Sequence, residues 1–308
     1  MEDVPVLLPD DVKQGMGMGE VLLRGAKDRQ GMDDRMPNFY LDSLGICEEA
    51  KNGITRLARE GSSKVDPVVS YIIAATNGNM YKHLVGKLES YPIPNLRLPK
   101  GDGHSFLDIG CSWGRWSIAA ARKGYTVIGI DPSMGRIMSA RRVSHSLGVP
   151  IKYLVADGRH LPFCSNSFDT VFSYNVLQHL GREDVRVVLS EVGRILKPQG
   201  TSLIQMPTPF GLRCMYHQAR RRFKEAEGVE VRYWSIPALK RVFTSTIGKT
   251  EISVDCYFGL GLQKSDSEFM PMKLKLVLAG SEILRKVSHF ASFLKYVADS
   301  VYVKAVKC

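Results

Sequence analysis

The chain has 308 residues, 44% hydrophobic and 24% charged, enough for one large α/β domain with additions or for two small ones. No uncharged apolar run reaches the roughly 18 residues of a membrane-spanning helix, and Glu2, Asp3, Asp10 and Asp11 give a start unlike a secretory signal, so a cytoplasmic protein is expected. The net charge of +11 is uneven: residues 209–308 hold 17 Lys and Arg against 9 Asp and Glu, the rest 25 against 22, a basic excess that suits phosphates or anionic lipid.

Residues 1 to about 37 are expected to be a poorly ordered tail, because Gln14-Gly-Met-Gly-Met-Gly19 carries no periodicity. Residues 38–100 read as a helical extension and linker. Val68, Val69, Ile72, Ile73 and Ala75 form one buried helix face behind an Asp66-Pro67 start, and Pro92 to Pro99 is punctuated by proline. Residues 101–308 read as one domain. Strands are predicted at Ser105 to Ile109, Thr126 to Ile130, Ile151 to Val155, Phe168 to Tyr174 and Ser202 to Met206. Helices Trp113 to Lys123, Ser133 to Leu147 and Arg182 to Leu196 alternate with them. Such alternation builds a parallel sheet with helices on both faces, and ligands then sit at the carboxyl ends of the strands. A helix from Ile236 to Phe243, a strand from Glu251 to Phe258, a helical insertion at about 260–298 and a terminal strand from Ser300 to Val306 complete the pattern. The terminal strand should pair antiparallel with Glu251 to Phe258. The six cysteines form no C-x-x-C pair and read as reduced, mostly buried thiols, and no metal-ligand cluster is visible.

The strongest chemical signal is Phe106-Leu-Asp-Ile-Gly-Cys-Ser-Trp-Gly-Arg115, a strand that ends in glycines and opens into a helix. Glycine lets backbone approach a ligand, and the helix start offers free N–H groups. Asp108 would repel a pyrophosphate but attract a cationic amino-acid moiety. Asp131, ending the second strand, can accept hydrogen bonds from ribose hydroxyls. Asp157, ending the third, can accept one from an adenine amino group.

In order and spacing the series LDIGCSWGR, GIDPS, VADGRHLPF, FDTVFSYNVLQHL and EVGRILKPQGTSLIQMP resembles the class I S-adenosylmethionine-dependent methyltransferase family, in its small-molecule (type 11) branch, over about a hundred residues. The resemblance implies a Rossmann-like, seven-stranded mixed sheet and S-adenosylmethionine as cofactor. By motif position Asp108, Gly110 and Gly114 would hold the methionine part and Asp131 the ribose. Asp157 and Gly158 would face the adenine amino group, Met134 and His160 would flank the ring, and Asn175 would stand near the methionine end. Ser112 departs from the family pattern, which has glycine there and so tolerates φ > 0 more readily.

The acceptor side is less defined. His179 follows the fourth strand and could act as a base toward a hydroxyl or carbon acid, or merely cap the loop. Tyr216, His217 and Arg220 follow the fifth strand, where acceptor pockets form in the family, and Arg220-Arg-Arg-Phe-Lys224 could grip phosphate or carboxylate. Ile283, Val287, Phe290 and Leu294 are spaced as one face of a single basic amphipathic helix. It could cover the sheet, form a lid or lie in a membrane surface. A methyltransferase for a small or lipid-linked acceptor is therefore expected. The alternatives are an RNA methyltransferase, against which the Ser173-Tyr174-Asn175-Val176 loop lacks the Asn/Asp-Pro-Pro-aromatic pattern of base amino methylases, and a non-catalytic cofactor-binding partner.

Overall fold

The computed structural model describes residues 4–7, 48–60, 64–76, 84, 86–228, 230–259, 261 and 263–308. Their strands form one sheet: β1 (Val6–Leu7), β2 (Ser105–Ile109), β3 (Thr126–Asp131), β4 (Lys152–Ala156), β5 (Phe168–Ser173), β6 (Leu196–Pro207), β7 (Gly248–Cys256) and β8 (Ser300–Lys307), in the order β1-β4-β3-β2-β5-β6-β8-β7. The helices are α1 (Glu48–Glu60), α2 (Pro67–Thr76), α3 (Arg115–Arg122), α4 (Met134–Ser146), α5 (Arg182–Ile195), α6 (Leu212–Arg220), α7 (Ile236–Thr246) and α8 (Met272–Val287).

The first six strands in spatial order are parallel, and β8 is wedged antiparallel between β6 and β7, pairing Tyr302 with Gln205 on one side and with Ser253 on the other. The expected terminal pairing is therefore present. From β2 the chain steps outward through β3 and β4, then returns to β5 on the other side of β2, so the order reverses at the β2 carboxyl end. A crevice opens there in doubly wound sheets.

Successive residues along each central strand face opposite layers. Leu107, Val171, Ile204 and Val303 turn toward Val188, Leu189 and Val192 of α5 and Phe243 of α7. Their neighbours Phe106, Phe172, Leu203 and Tyr302 turn the other way, against Trp116 and Ala120 of α3. This two-sided burial explains why these strands read as unbroken apolar runs. A third cluster joins Ile54 of α1 and Val69 and Ile73 of α2 to Trp113, and to Met270 and Leu278 of the insertion. The start of α2 follows its sequence signal: the Asp66 carboxylate accepts from the backbone N–H groups of Val68 and Val69 at 2.9 and 3.2 Å.

Three expectations need correction. The sheet has eight strands, not seven, because Val6 and Leu7 add to the outer edge of β4, parallel to Val155 and Ala156. Residues 4–7 are thus held in the sheet where a poorly ordered tail was expected; residues 8–37 of that expectation lie outside the described residues. Second, β6 begins at Leu196. The Lys197-Pro-Gln-Gly200 segment bulges from the ladder, with Gln199 at φ 63°. Third, the amphipathic segment is not one helix through Leu294. It ends at Val287, where the Ser288 hydroxyl turns back onto the Arg285 carbonyl at 2.7 Å. The Leu294 carbonyl is held by the Tyr257 hydroxyl in the following short 3₁₀ segment, Ser292–Val297.

Candidate functional site: the crevice at the ends of the parallel strands

The loop after β2 is folded by positive backbone angles. Gly110, Ser112 and Gly114 have φ of 73°, 52° and 86°. A Cβ on Gly110 would sit 2.3 Å from Val176, and one on Gly114 would sit 2.5 Å from the Tyr153 hydroxyl, so neither position admits a side chain as the structure stands. Ser112 adopts the left-handed conformation that its sequence departure called into question, and its hydroxyl is buried without a hydrogen-bond partner. Such a residue costs about 1–2 kcal/mol relative to glycine.

Two carboxylates lie buried under this loop. Asp108 accepts from the Ser117 hydroxyl at 2.6 Å. Burial, with the nearby charge of Asp131 adding to it against the Ser117 hydrogen bond, pushes its carboxyl up to about 7. Asp131 accepts from the backbone N–H groups of Ser112 at 3.1 Å and Ser133 at 2.9 Å, with Arg136 3.9 Å away. Its carboxyl is also raised by burial, against the opposing pull of Arg136 and those N–H donors. Asp131 thus clamps the loop and leaves only part of its acceptor capacity toward the crevice. Around them Cys111 and Tyr153 stay neutral, since burial raises both far above their ordinary values. A pair of buried acids next to a polar atom without a partner suits a ligand that carries positive charge and hydroxyl groups.

The other expected site residues are distributed as follows. Asp157 directly follows β4, but its two oxygens are taken up by Arg159, at 2.7 Å to one guanidinium nitrogen, which lowers its carboxyl against the effect of burial. Gly158 lies close over Ile109, where an added Cβ would come within 3.1 Å. Met134, directly after the Ser133 cap of α4, packs among Cys111, Ile137 and Val155. His160 instead lines a surface cleft with Arg159, Leu161, Val187, Ser190 and Glu191. Asn175 stands at the end of β5 with φ 59°, its N–H donating to the Gln205 side chain at 3.0 Å.

His179 ends a short 3₁₀ turn, Leu177–His179, beside the Gln178 amide, and its carbonyl accepts from Arg232 at 2.9 Å. Tyr216, His217 and Arg220 share the outer face of α6. The His217 ring is 5.6 Å from that of Tyr216, Arg220 lies over the Tyr216 ring, and His217 is held below its ordinary pKa by burial and by Arg213 and Arg220.

Sequence reasoning missed the groups that tie the insertion and the linker to the strand ends and to α3. Arg115, the first residue of α3, pairs at 3.1 Å with the buried Asp266 of the insertion. The Tyr174 hydroxyl donates to buried Asp255 at 2.9 Å and also reaches the Gly261 carbonyl. Arg97 of the proline-rich linker joins Asp255 to Glu282 of α8. Gly261, whose added Cβ would lie 3.6 Å from the Asn175 amide, thus lies over the end of β5. These partners are up to 185 residues apart, so no local pattern announces them.

Comparisons with known proteins agree with this geometry. Residues 106–200 match the family model described as a methyltransferase domain. The chain carries a class I S-adenosylmethionine-dependent methyltransferase domain. The match covers the glycine loop, both buried carboxylates and the strands as far as the start of β6. Among curated relatives, a ubiquinone biosynthesis O-methyltransferase from Azorhizobium caulinodans is 31% identical over 102 residues, covering 33% of this chain and 40% of that protein. The methyltransferase GfsG from Streptomyces halstedii is 35% identical over 107 residues, 34% of this chain and 38% of that protein. The similarity therefore spans only about two-fifths of the length of these relatives. A solved structure of Haemonchus contortus phosphoethanolamine N-methyltransferase 2 shares the fold, with a TM-score of 0.51 at 22% identity, covering 78% of this chain and 57% of that one.

Proposed function

We propose that the protein transfers the methyl group of S-adenosylmethionine to a small or lipid-linked acceptor that carries negative charge. The observation that carries this reading is the pair of buried acids, Asp108 and Asp131, under a positive-φ loop at the reversal of strand order. Asp108, with Gly110 and Gly114, would hold the methionine end, where a cationic amino group relieves the carboxylate's burial. Asp131 would receive the ribose hydroxyls with the acceptor capacity that the loop leaves it. Met134 would lie against the adenine ring and His160 at its edge. Gly158 would offer backbone beside the amino group, which Asp157 would meet once Arg159 moves aside. Asn175 would line the methionine end.

The bound cofactor supplies a methyl group activated on a sulfonium. The chain's part is then to align an acceptor atom with it and exclude water, through the insertion that Arg115 and Asp266 hold in place. Tyr216, His217 and Arg220 would meet the acceptor's charged part. His179 would take the proton if the acceptor atom is a hydroxyl or carbon acid. In that case His179→Ala lowers kcat by about 10² to 10⁴ while cofactor affinity is retained.

Calorimetry with S-adenosylmethionine tests the reading. Wild type should bind, and Gly114→Val, which forces a side chain into the Tyr153 hydroxyl, should lose at least about tenfold in affinity. Binding that is equal in the two proteins would remove the assignment.

A further inference from the structure

The insertion between β7 and β8 has two apolar faces. Leu278 is buried, and Leu274 and Leu284 pack against the body. On the outer side Met272, Leu276, Ala279, Ile283, Val287 and Phe290 recur at intervals of three and four residues and form one exposed row along α8 and the turn beyond it. Leu276 is 68% exposed, Ile283 62% and Phe290 94%. Folding gains nothing from leaving so much apolar surface in water, and contiguous patches of this kind mark contact sites.

A second exposed apolar group stands at the base of the insertion. The Asp299 carboxylate, where the insertion ends, accepts from the N–H groups of Arg213 and Cys214 in the first turn of α6 and from Gly259, where the insertion begins, each at 2.9 Å. The start of α6 is thereby fixed at the base of the insertion, and it exposes Phe210 and Leu212. Residues 210–224 and 260–298 together hold eleven Lys and Arg against three Asp and Glu.

We propose that this surface docks on an anionic phospholipid membrane, with α8 lying in the plane of the headgroups. The charge selects this occupant. A second copy would set one cationic rim against another, and a nucleic acid would leave Leu276, Ile283 and Val287 without use. A membrane takes the side chains into its acyl boundary and the Lys and Arg into its headgroups. No helix among the described residues is long and apolar enough to cross a bilayer. The surface lies outside the cofactor crevice, so its failure and the failure of the methyl-transfer reading are measured separately.

The test is flotation of the full chain with vesicles of phosphatidylcholine alone or mixed with phosphatidylserine, at low and physiological salt. Wild type should float with the anionic vesicles, and less so as salt rises. Ile283→Asp/Phe290→Asp and, separately, Lys273→Glu/Lys286→Glu should each weaken binding at least about tenfold. S-adenosylmethionine affinity and thermal unfolding should stay unchanged, because these side chains point into solvent. The proposal is overturned if wild type ignores anionic vesicles at low salt, or if both variants float as well as wild type. It is equally overturned if Ile283→Asp/Phe290→Asp splits a dimer that binds no vesicles, which would make the surface a self-association face. RNA binding with a steep salt dependence in the absence of vesicle binding would assign it to nucleic acid instead.

Discussion

Asp108 offers a perturbation whose size follows from the structure. Its carboxyl rises from an ordinary 3.8 to about 7 because it is buried, with Asp131 close by, and the Ser117 hydrogen bond offsets only part of that rise. A shift of that size corresponds to roughly 4 kcal/mol between the two protonation states. The raised value means that the folded chain binds more protons than the unfolded one between about pH 4 and 7. Stability from this group is therefore intact at low pH and falls as pH rises through that window. A cationic amino group bound beside Asp108 favours the ionised form. Affinity for S-adenosylmethionine should then be flat above pH 7 and drop by up to about tenfold for each unit below it, with a proton released on binding. Asp131, Cys111, Tyr153 and Arg136 surround the same crevice. Burial keeps Cys111 and Tyr153 neutral throughout the range, so they add no slope, while Asp131, also raised by burial, acts in the same direction as Asp108. Asp108→Asn keeps an acceptor for Ser117 and removes the charge. It should flatten both profiles, raise thermal stability at pH 8 and weaken cofactor binding at pH 7.5 at least about tenfold. Calorimetry from pH 5.5 to 7.5, in buffers of different ionisation enthalpy, measures affinity and proton release together. A wild-type affinity that is flat across that range, or an Asp108→Asn protein that binds as tightly as wild type, would remove Asp108 from the cofactor site.

Two further experiments test the loop and the tether of the insertion. Ser112→Gly relieves a left-handed conformation at φ 52° and removes a buried hydroxyl without a partner, so unfolding should move up by about 1 kcal/mol, or roughly 2–4 °C; an unchanged or lower midpoint would count against the strain. For the Arg115–Asp266 pair, Arg115→Met and Asp266→Asn should each destabilise by about 3–5 kcal/mol, since each leaves a buried group short of its partner, and the double variant should lose clearly less than the two combined. Additive losses in a double-mutant cycle by chemical denaturation would show that the two groups do not act as a pair.

The parallel half of the fold was legible because its signals are local. Glycines end the strands, Ser133 caps α4, and the apolar runs of β2, β3 and β5 reflect burial on both faces. What the sequence concealed depends on distant contacts or on competition between neighbours. Two residues at β1 carry no periodicity, and only the edge of β4 makes them a strand. The spacing of Ile283, Val287, Phe290 and Leu294 suited a single helix, but Ser288 bonding back to Arg285 and the capture of the Leu294 carbonyl by Tyr257 break it. Asp157 is in its expected position, yet Arg159, two residues on, occupies the carboxylate. Arg115 and Asp266 were silent because their partnership spans 151 residues.

On the proposed function, the crevice at the ends of β2, β3 and β4 holds the cofactor. A crystal structure of the full chain grown with S-adenosylhomocysteine tests it most directly. The ribose hydroxyls are expected within hydrogen-bond distance of Asp131, the amino group over Asp108 and Gly110, and the sulfur facing Asn175 and Gly261. A ligand seated elsewhere, or no binding at millimolar concentration, would contradict the claim.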